Sequence, residues 1–255
     1  MSTDVMVARI AESPPRLKAR VAGLLYLIIF VTAAFSEFFV RGRLIVHGDA
    51  GATATNILAH EPLYRLGGAA EFITLACDAA VALLFYDLLK PVSRSLSLLA
   101  ASFRLLFVAI MGVNLLNYFA PLVLLGGAHF LTVFTTDQLQ ALALVSHSLY
   151  STGYGLSIMF FAFHCILAGY LIFGSAFFPR ILGALLAIAG LCYLTNSFAN
   201  VLAPASAGAL WPYLMLPGAV AELSLTLWLL VMGVNAQRWK EQASAARSSD
   251  GASGS

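Results

Sequence analysis

Apolar stretches of about 20 residues recur along most of this chain, which is the length a ~30 Å hydrocarbon core demands of a spanning helix. Backbone in hydrocarbon finds no water to bond, so stretches of this kind fold as helices that satisfy their own hydrogen bonds. The composition agrees, with 60% hydrophobic and only 10% charged residues in 255 and a mean hydropathy of +0.88. The chain is therefore read as all-α, a polytopic transmembrane helical bundle, with room for little else. Membrane lipids are the partners such a surface requires. A net charge of +2, with no basic stripe beyond the flanks of the apolar stretches, argues against nucleic acid. Cys77, Cys165 and Cys192 all fall inside those stretches and read as packing residues, without the spacing of a zinc pair or an external disulfide.

Six spans are expected, at about 21–40, 64–89, 96–122, 156–173, 181–201 and 217–234. The first is long for the apolar core of a leader and reads as a retained anchor. Pro62 suits a helix start, and Pro121 is placed to kink or stop the third span. Thr136 or Asp137 can cap the next helix, with Gln140 in a capping-box position. An unbroken helix from there to Phe173 would be ~50 Å long, more than one crossing needs. A break is therefore expected at Gly153-Tyr154-Gly155, leaving an amphipathic outer piece before the fourth span. Asp49 can cap a short helix ending near His60. The domains are then a cytoplasmic segment over 1–15, a six-span domain over 16–235 and a disordered, Ser-, Ala- and Gly-rich cytoplasmic tail over 236–255.

Counting basic residues sets the expected orientation. Arg9, Arg16, Lys18, Arg20, Lys90, Arg94, Arg180, Arg238, Lys240 and Arg247 fall on one side, against Arg41, Arg43 and Arg65 on the other. Both termini should face the cytoplasm, with Trp239 as an inner interfacial anchor and Trp211 as an outer one. Short segments also repeat weakly, Arg20–Leu25 with Arg180–Leu185 and Gly68–Glu71 with Ala219–Glu222, in the sense of a parallel repeat.

Five ionisable residues interrupt the spans: Glu37, Glu71, Asp78, Arg104 and Glu222. Each costs ~2.5 to 3.5 kcal/mol near the bilayer centre, so such residues face a protein interior or a watery cavity. Helical spacing agrees, because small and polar residues share stripes: Gly67, Glu71, Thr74 and Asp78; Gly23, Tyr26, Phe30 and Glu37; Ser157, Phe161 and His164; Gly218, Glu222 and Thr226. Depth divides them. Arg104 lies ~12 Å and Asp78 ~18 Å from the same end of their spans, a gap an arginine side chain covers, so the two form a candidate buried ion pair. The alternative is that Arg104 snorkels toward Asp87. Glu37, Glu71, Asn114, Asn117, Asn196 and Glu222 fall in the outer half, as candidate ligand-binding residues of an outward-facing cavity, with Arg41 one turn beyond Glu37 placed to gate or neutralise it.

Several runs resemble a known family: Ala22-Gly23-Leu24-Leu25-Tyr26-Leu27, Glu37-Phe38-Phe39-Val40-Arg41-Gly42, Cys77-Asp78, Lys90-Pro91-Val92, Phe103-Arg104-Leu105, Asn114-Leu115-Leu116-Asn117, Phe178-Pro179-Arg180-Ile181-Leu182-Gly183 and Glu222-Leu223-Ser224-Leu225-Thr226. From about Arg16 to Asn235 the chain is similar to the bacterial membrane proteins grouped as domain-of-unknown-function family 4386. That resemblance implies a multi-pass protein of the bacterial cytoplasmic membrane. It carries no catalytic residues.

The chemistry must therefore come from the side chains themselves. Scattered histidines, with no pair on one helical face, give no metal site and no motif requires a cofactor. Ser157 and His164 share a face but stand ~10 Å apart, too far for a nucleophile and its base. Asn114 and Asn117 could simply bond neighbouring helices. Three carboxylates in one layer point to a small-molecule, cation or proton-coupled ligand, and so to a binding or transport protein. The alternatives are an intramembrane enzyme acting on a lipid or isoprenoid-like substrate, or a non-catalytic scaffold. Nothing in the sequence sets an oligomeric state.

Overall fold

The computed structural model describes residues 14–252, without the side chains of 204–212, 247 and 249–252. Expectations resting on residues 1–13 (Arg9 among them) and on the side chains of Trp211 and Arg247 lie outside the described residues. The described chain is all helical. We label α1 (Pro15–Ala34), which continues through a π-helical stretch (Phe35–Arg41) and a last turn (Gly42–Leu44), α2 (Ala50–Ala59), α3 (Glu61–Leu89), α4 (Arg94–Leu124), α5 (Thr136–Gly174), α6 (Arg180–Leu202), α7 (Pro204–Val231) and α8 (Ala236–Ala252). All but α2 and α8 are long and apolar enough to cross a membrane, which makes six spans. The exposure pattern inverts that of a soluble protein. Leu116 is 73% exposed while Arg104 is 0% exposed, as expected where the surroundings are hydrocarbon and the polar groups turn to one another.

Local chemistry accounts for the helix ends. Asp49 caps α2, its side chain accepting from Ala52 N at 2.8 Å, and the helix closes at His60. The cap of α5 lies one residue before the expected position. Gln138 N donates to Thr135 Oγ1 at 3.3 Å and Thr135 N donates to Gln138 Oε1 at 2.9 Å, a reciprocal capping box. Pro121 opens the last turn of α4, which ends at Leu124.

Two expectations are corrected. The break at Gly153-Tyr154-Gly155 is absent, and α5 runs unbroken for 39 residues. A glycine inside a helix costs ~1 kcal/mol, which packing can offset. At Gly153 the missing side chain is used by a neighbour: a Cβ there would meet Asn114 Oδ1 at 2.5 Å. The tail from Ala236 is helical to Ala252, not disordered. One face of α8, at Ala236, Trp239, Gln242, Ala243 and Ala246, is at least partly covered. Trp239 Nε1 donates to Leu88 O at 2.9 Å and Gln242 Oε1 accepts from Ala176 N at 3.0 Å. A polar composition suggested disorder, but five covered positions at helical spacing suffice once there is a surface to receive them.

The chain divides into two compact units: one of Met1–Leu27, Asp78–Leu106 and Ile158–Ser255, the other of Ile28–Cys77 and Phe107–Ser157. In the first, α5 and α6 approach closely at glycines. A Cβ on Gly183 would lie 2.4 Å from Phe173 N and 2.5 Å from Gly169 O, so the two backbones are in direct contact. In the second, α3 and α4 lock through two tyrosines. Tyr64 donates to Tyr118 O at 2.6 Å, Tyr118 donates to Tyr64 O at 2.9 Å, and their rings stack at 4.7 Å.

Candidate functional site

In each unit a buried charge cluster is organised by an arginine. In the first unit Arg104 reaches Asp78 from α4 to α3. Its Nε donates to Asp78 Oδ1 at 2.9 Å, and Nη2 bonds the same oxygen. Nη1 donates to Tyr26 Oη and to His164 Nε2. Because His164 Nδ1 lies 2.9 Å from Ala100 O, that nitrogen must carry the ring proton, leaving Nε2 to accept from the guanidinium. The ring is thus held neutral, with both nitrogens occupied. The guanidinium plane also lies 4.6 Å from the Tyr26 ring and 5.3 Å from that of Phe161. Asp87, the rival partner, is instead shared by Lys18 at 2.6 Å and Lys90 at 2.7 Å.

Such a cluster holds its own charge. A buried ion pair offsets its desolvation only where further hydrogen bonds satisfy the remaining donors, and here Tyr26 and His164 do so. Tyr26, Phe161 and His164 had no ionic role in the sequence reading. Their places on the packing stripes were the available signal, because a residue on such a stripe meets whatever charge its neighbours carry.

The second cluster forms around Arg41, and the π-helical stretch places it. With a wider turn, residues four and five apart share a face, and Gly42 N accordingly bonds back five residues to Glu37 O. Ser36, Glu37 and Arg41 are so brought together. Arg41 Nη1 donates to Glu71 Oε1 at 2.5 Å, to Ser36 Oγ at 3.0 Å and to Tyr150 Oη at 3.2 Å. Its Nε donates to Glu37 Oε2 at 3.1 Å, and Nη2 bonds the same oxygen. Glu71 is buried, whereas the side chain of Glu37 is 56% exposed. Behind Tyr150, Asn114 Nδ2 donates to Tyr150 O at 2.8 Å and Asn117 Nδ2 donates to Asn114 Oδ1 at 3.0 Å. Tyr150 escaped the sequence reading because it precedes the supposed break in α5. His147 is buried with its ring 6.5 Å from that of Tyr150.

Of the residues singled out from sequence, Glu37, Glu71, Asn114 and Asn117 belong to this second unit. Glu222 and Asn196 belong to the first, where Glu222 Oε1 accepts from Tyr193 Oη at 2.5 Å and Asn196 is buried with no hydrogen-bond partner at Oδ1. Among the described residues no three His, Cys, Asp or Glu side chains group together as metal ligands would.

Six apolar spans with polar and charged side chains turned inward define a polytopic α-helical membrane protein. The chain belongs to the family described as domain of unknown function DUF4386, which it matches over residues 21–233. It is also similar to an uncharacterized protein of Archaeoglobus fulgidus, with 31% identity over 125 residues, 49% of this chain. The match covers 61% of that relative, so the chain spans less than two thirds of its length. No solved structure matches the chain.

Proposed function

We propose that the Arg41 cluster is the ligand site of a small-molecule binding or transport protein whose ligand is a cation or is coupled to a proton. The observation carrying this reading is a charge count. Glu37 and Glu71 share one arginine, so the group holds two negative charges against one positive and is one positive charge short. Inside a membrane protein such a deficit is costly, and a proton or a cationic group on the ligand cancels it. The exposure of Glu37 supplies an approach, and the buried Glu71 supplies the inner partner. Asn114 and Asn117 hold Tyr150 against the guanidinium from behind. Protonating either carboxylate frees part of Arg41, which gives occupancy a means of moving α1 against its neighbours within the unit.

The same reading puts the protein in the bacterial cytoplasmic membrane with both termini inside, supported by the distribution of its basic residues. Proteoliposomes enclosing a pH-sensitive dye test the proposal. An imposed gradient of each of a panel of small organic amines should move protons in the wild type. Glu71→Gln should abolish the signal, and the milder Glu37→Gln, at a half-exposed position, should weaken it without loss of fold. Equal signals from all three proteins would refute the role.

A further inference from the structure

The ends of the helices in the first unit gather a group of cations that form no ion pair among the described residues. Contacts within that unit bring the ends together. The stem of Arg16 lies against Gly233, and Arg20 Nη2 donates to Val231 O at 3.4 Å. Arg238 Nη1 donates to Ala176 O at 3.4 Å, and Asn235 N donates to Phe177 O at 3.3 Å. Trp239 on α8 ties the same end to the close of α3 through Leu88 O. The carboxylates there are already engaged. Asp87 is held by Lys18 and Lys90, and Glu241 accepts from Gln237 Nε2 at 2.8 Å. Arg16, Arg20, Arg94, Arg180, Arg238 and Lys240 are all exposed, and among the described residues none of them has an ion-pair partner.

We propose that this end of the unit is a binding surface for the headgroups of anionic phospholipids, with α8 lying along the interface as part of it. Charge complementarity selects this occupant: six exposed cations that form no ion pair among the described residues attract the phosphate-rich layer that flanks a hydrocarbon core. Trp239, an amphipathic ring of the kind enriched at the headgroup level, belongs to the same end through its bond to Leu88 O. Arginine contributes planar donor pairs suited to phosphate oxygens. Two of the arginines spend one donor each on a backbone carbonyl, which leaves their other N–H groups for phosphate.

The test is lipid retention by the full chain in nanodiscs of phosphatidylcholine mixed with phosphatidylglycerol, read by native mass spectrometry after mild delipidation. Phosphatidylglycerol should be retained several-fold above its share of the mixture. The combined Arg16→Gln, Arg20→Gln and Arg238→Gln variant should fall to parity, while Arg43→Gln, an exposed arginine of the other unit, should keep the enrichment. Raising salt to ~1 M, where the screening length falls to ~3 Å, should remove the enrichment from the wild type, and that measurement stands even if the triple variant does not fold. Retention in proportion to the mixture, equal loss in Arg43→Gln, or displacement of the lipid by inorganic phosphate, which would assign a soluble anion instead, would each overturn the proposal.

Discussion

Breaking the Asp78–Arg104 pair should cost the fold more than any other single polar change in the first unit. Arg104 is fully buried, Asp78 is 3% exposed, and two guanidinium nitrogens converge on one carboxylate oxygen. Removing one partner of a buried pair leaves an uncompensated charge and costs ~3 to 5 kcal/mol. The two substitutions should differ. Asp78→Asn keeps an oxygen that can still accept from Arg104, so its loss should fall near the lower bound of ~3 kcal/mol. Arg104→Gln strands Asp78 and also takes away the donor facing His164 Nε2 and the partner of Tyr26 Oη. Each unsatisfied buried group adds ~1 kcal/mol or more, so this loss should approach the upper bound. The double variant replaces the charge pair by two neutral amides. Its loss should fall short of the summed single losses by ~2 to 3 kcal/mol, as for residues in direct contact. Reversible unfolding of the purified protein in mixed detergent and denaturing-surfactant micelles, followed by tryptophan fluorescence, measures all four corners of the cycle. Additive losses would show that the pair carries no coupling and would refute the reasoning.

Two further outcomes are expected. With Cys77, Cys165 and Cys192 replaced, a cysteine at Ser95 should be labelled only from the cytoplasm and one at Thr132 only from outside; the reverse pattern would refute the orientation. Gly183→Val should disrupt the α5–α6 contact, since its first carbon would already lie 2.4 Å from Phe173 N, and overpacking of this kind costs ~1 to 3 kcal/mol, read as a lowered midpoint in the same unfolding assay. An unchanged midpoint would show that the two helices separate freely.

The spans could be read from the sequence because their cause is local. A 20-residue apolar stretch must be helical in hydrocarbon whatever surrounds it, and Asp49 caps its helix through a bond three residues away. The stripe bearing Glu71, Thr74 and Asp78 was legible for the same reason, since helical periodicity alone sets which residues share a face. Partners were another matter. Arg104 could reach Asp78 or Asp87 by depth, and only the packed helices send it to Asp78 while Lys18 and Lys90 claim Asp87. The glycines of α5 look like a break to any reading along the chain, yet one of them makes room for Asn114, a residue some 40 positions earlier. The π-helical turn that joins Ser36, Glu37 and Arg41 has no sequence signature of its own. What a residue is follows from its own chemistry, but which charge answers another depends on contacts between segments far apart in the chain, and those exist only once the helices have packed.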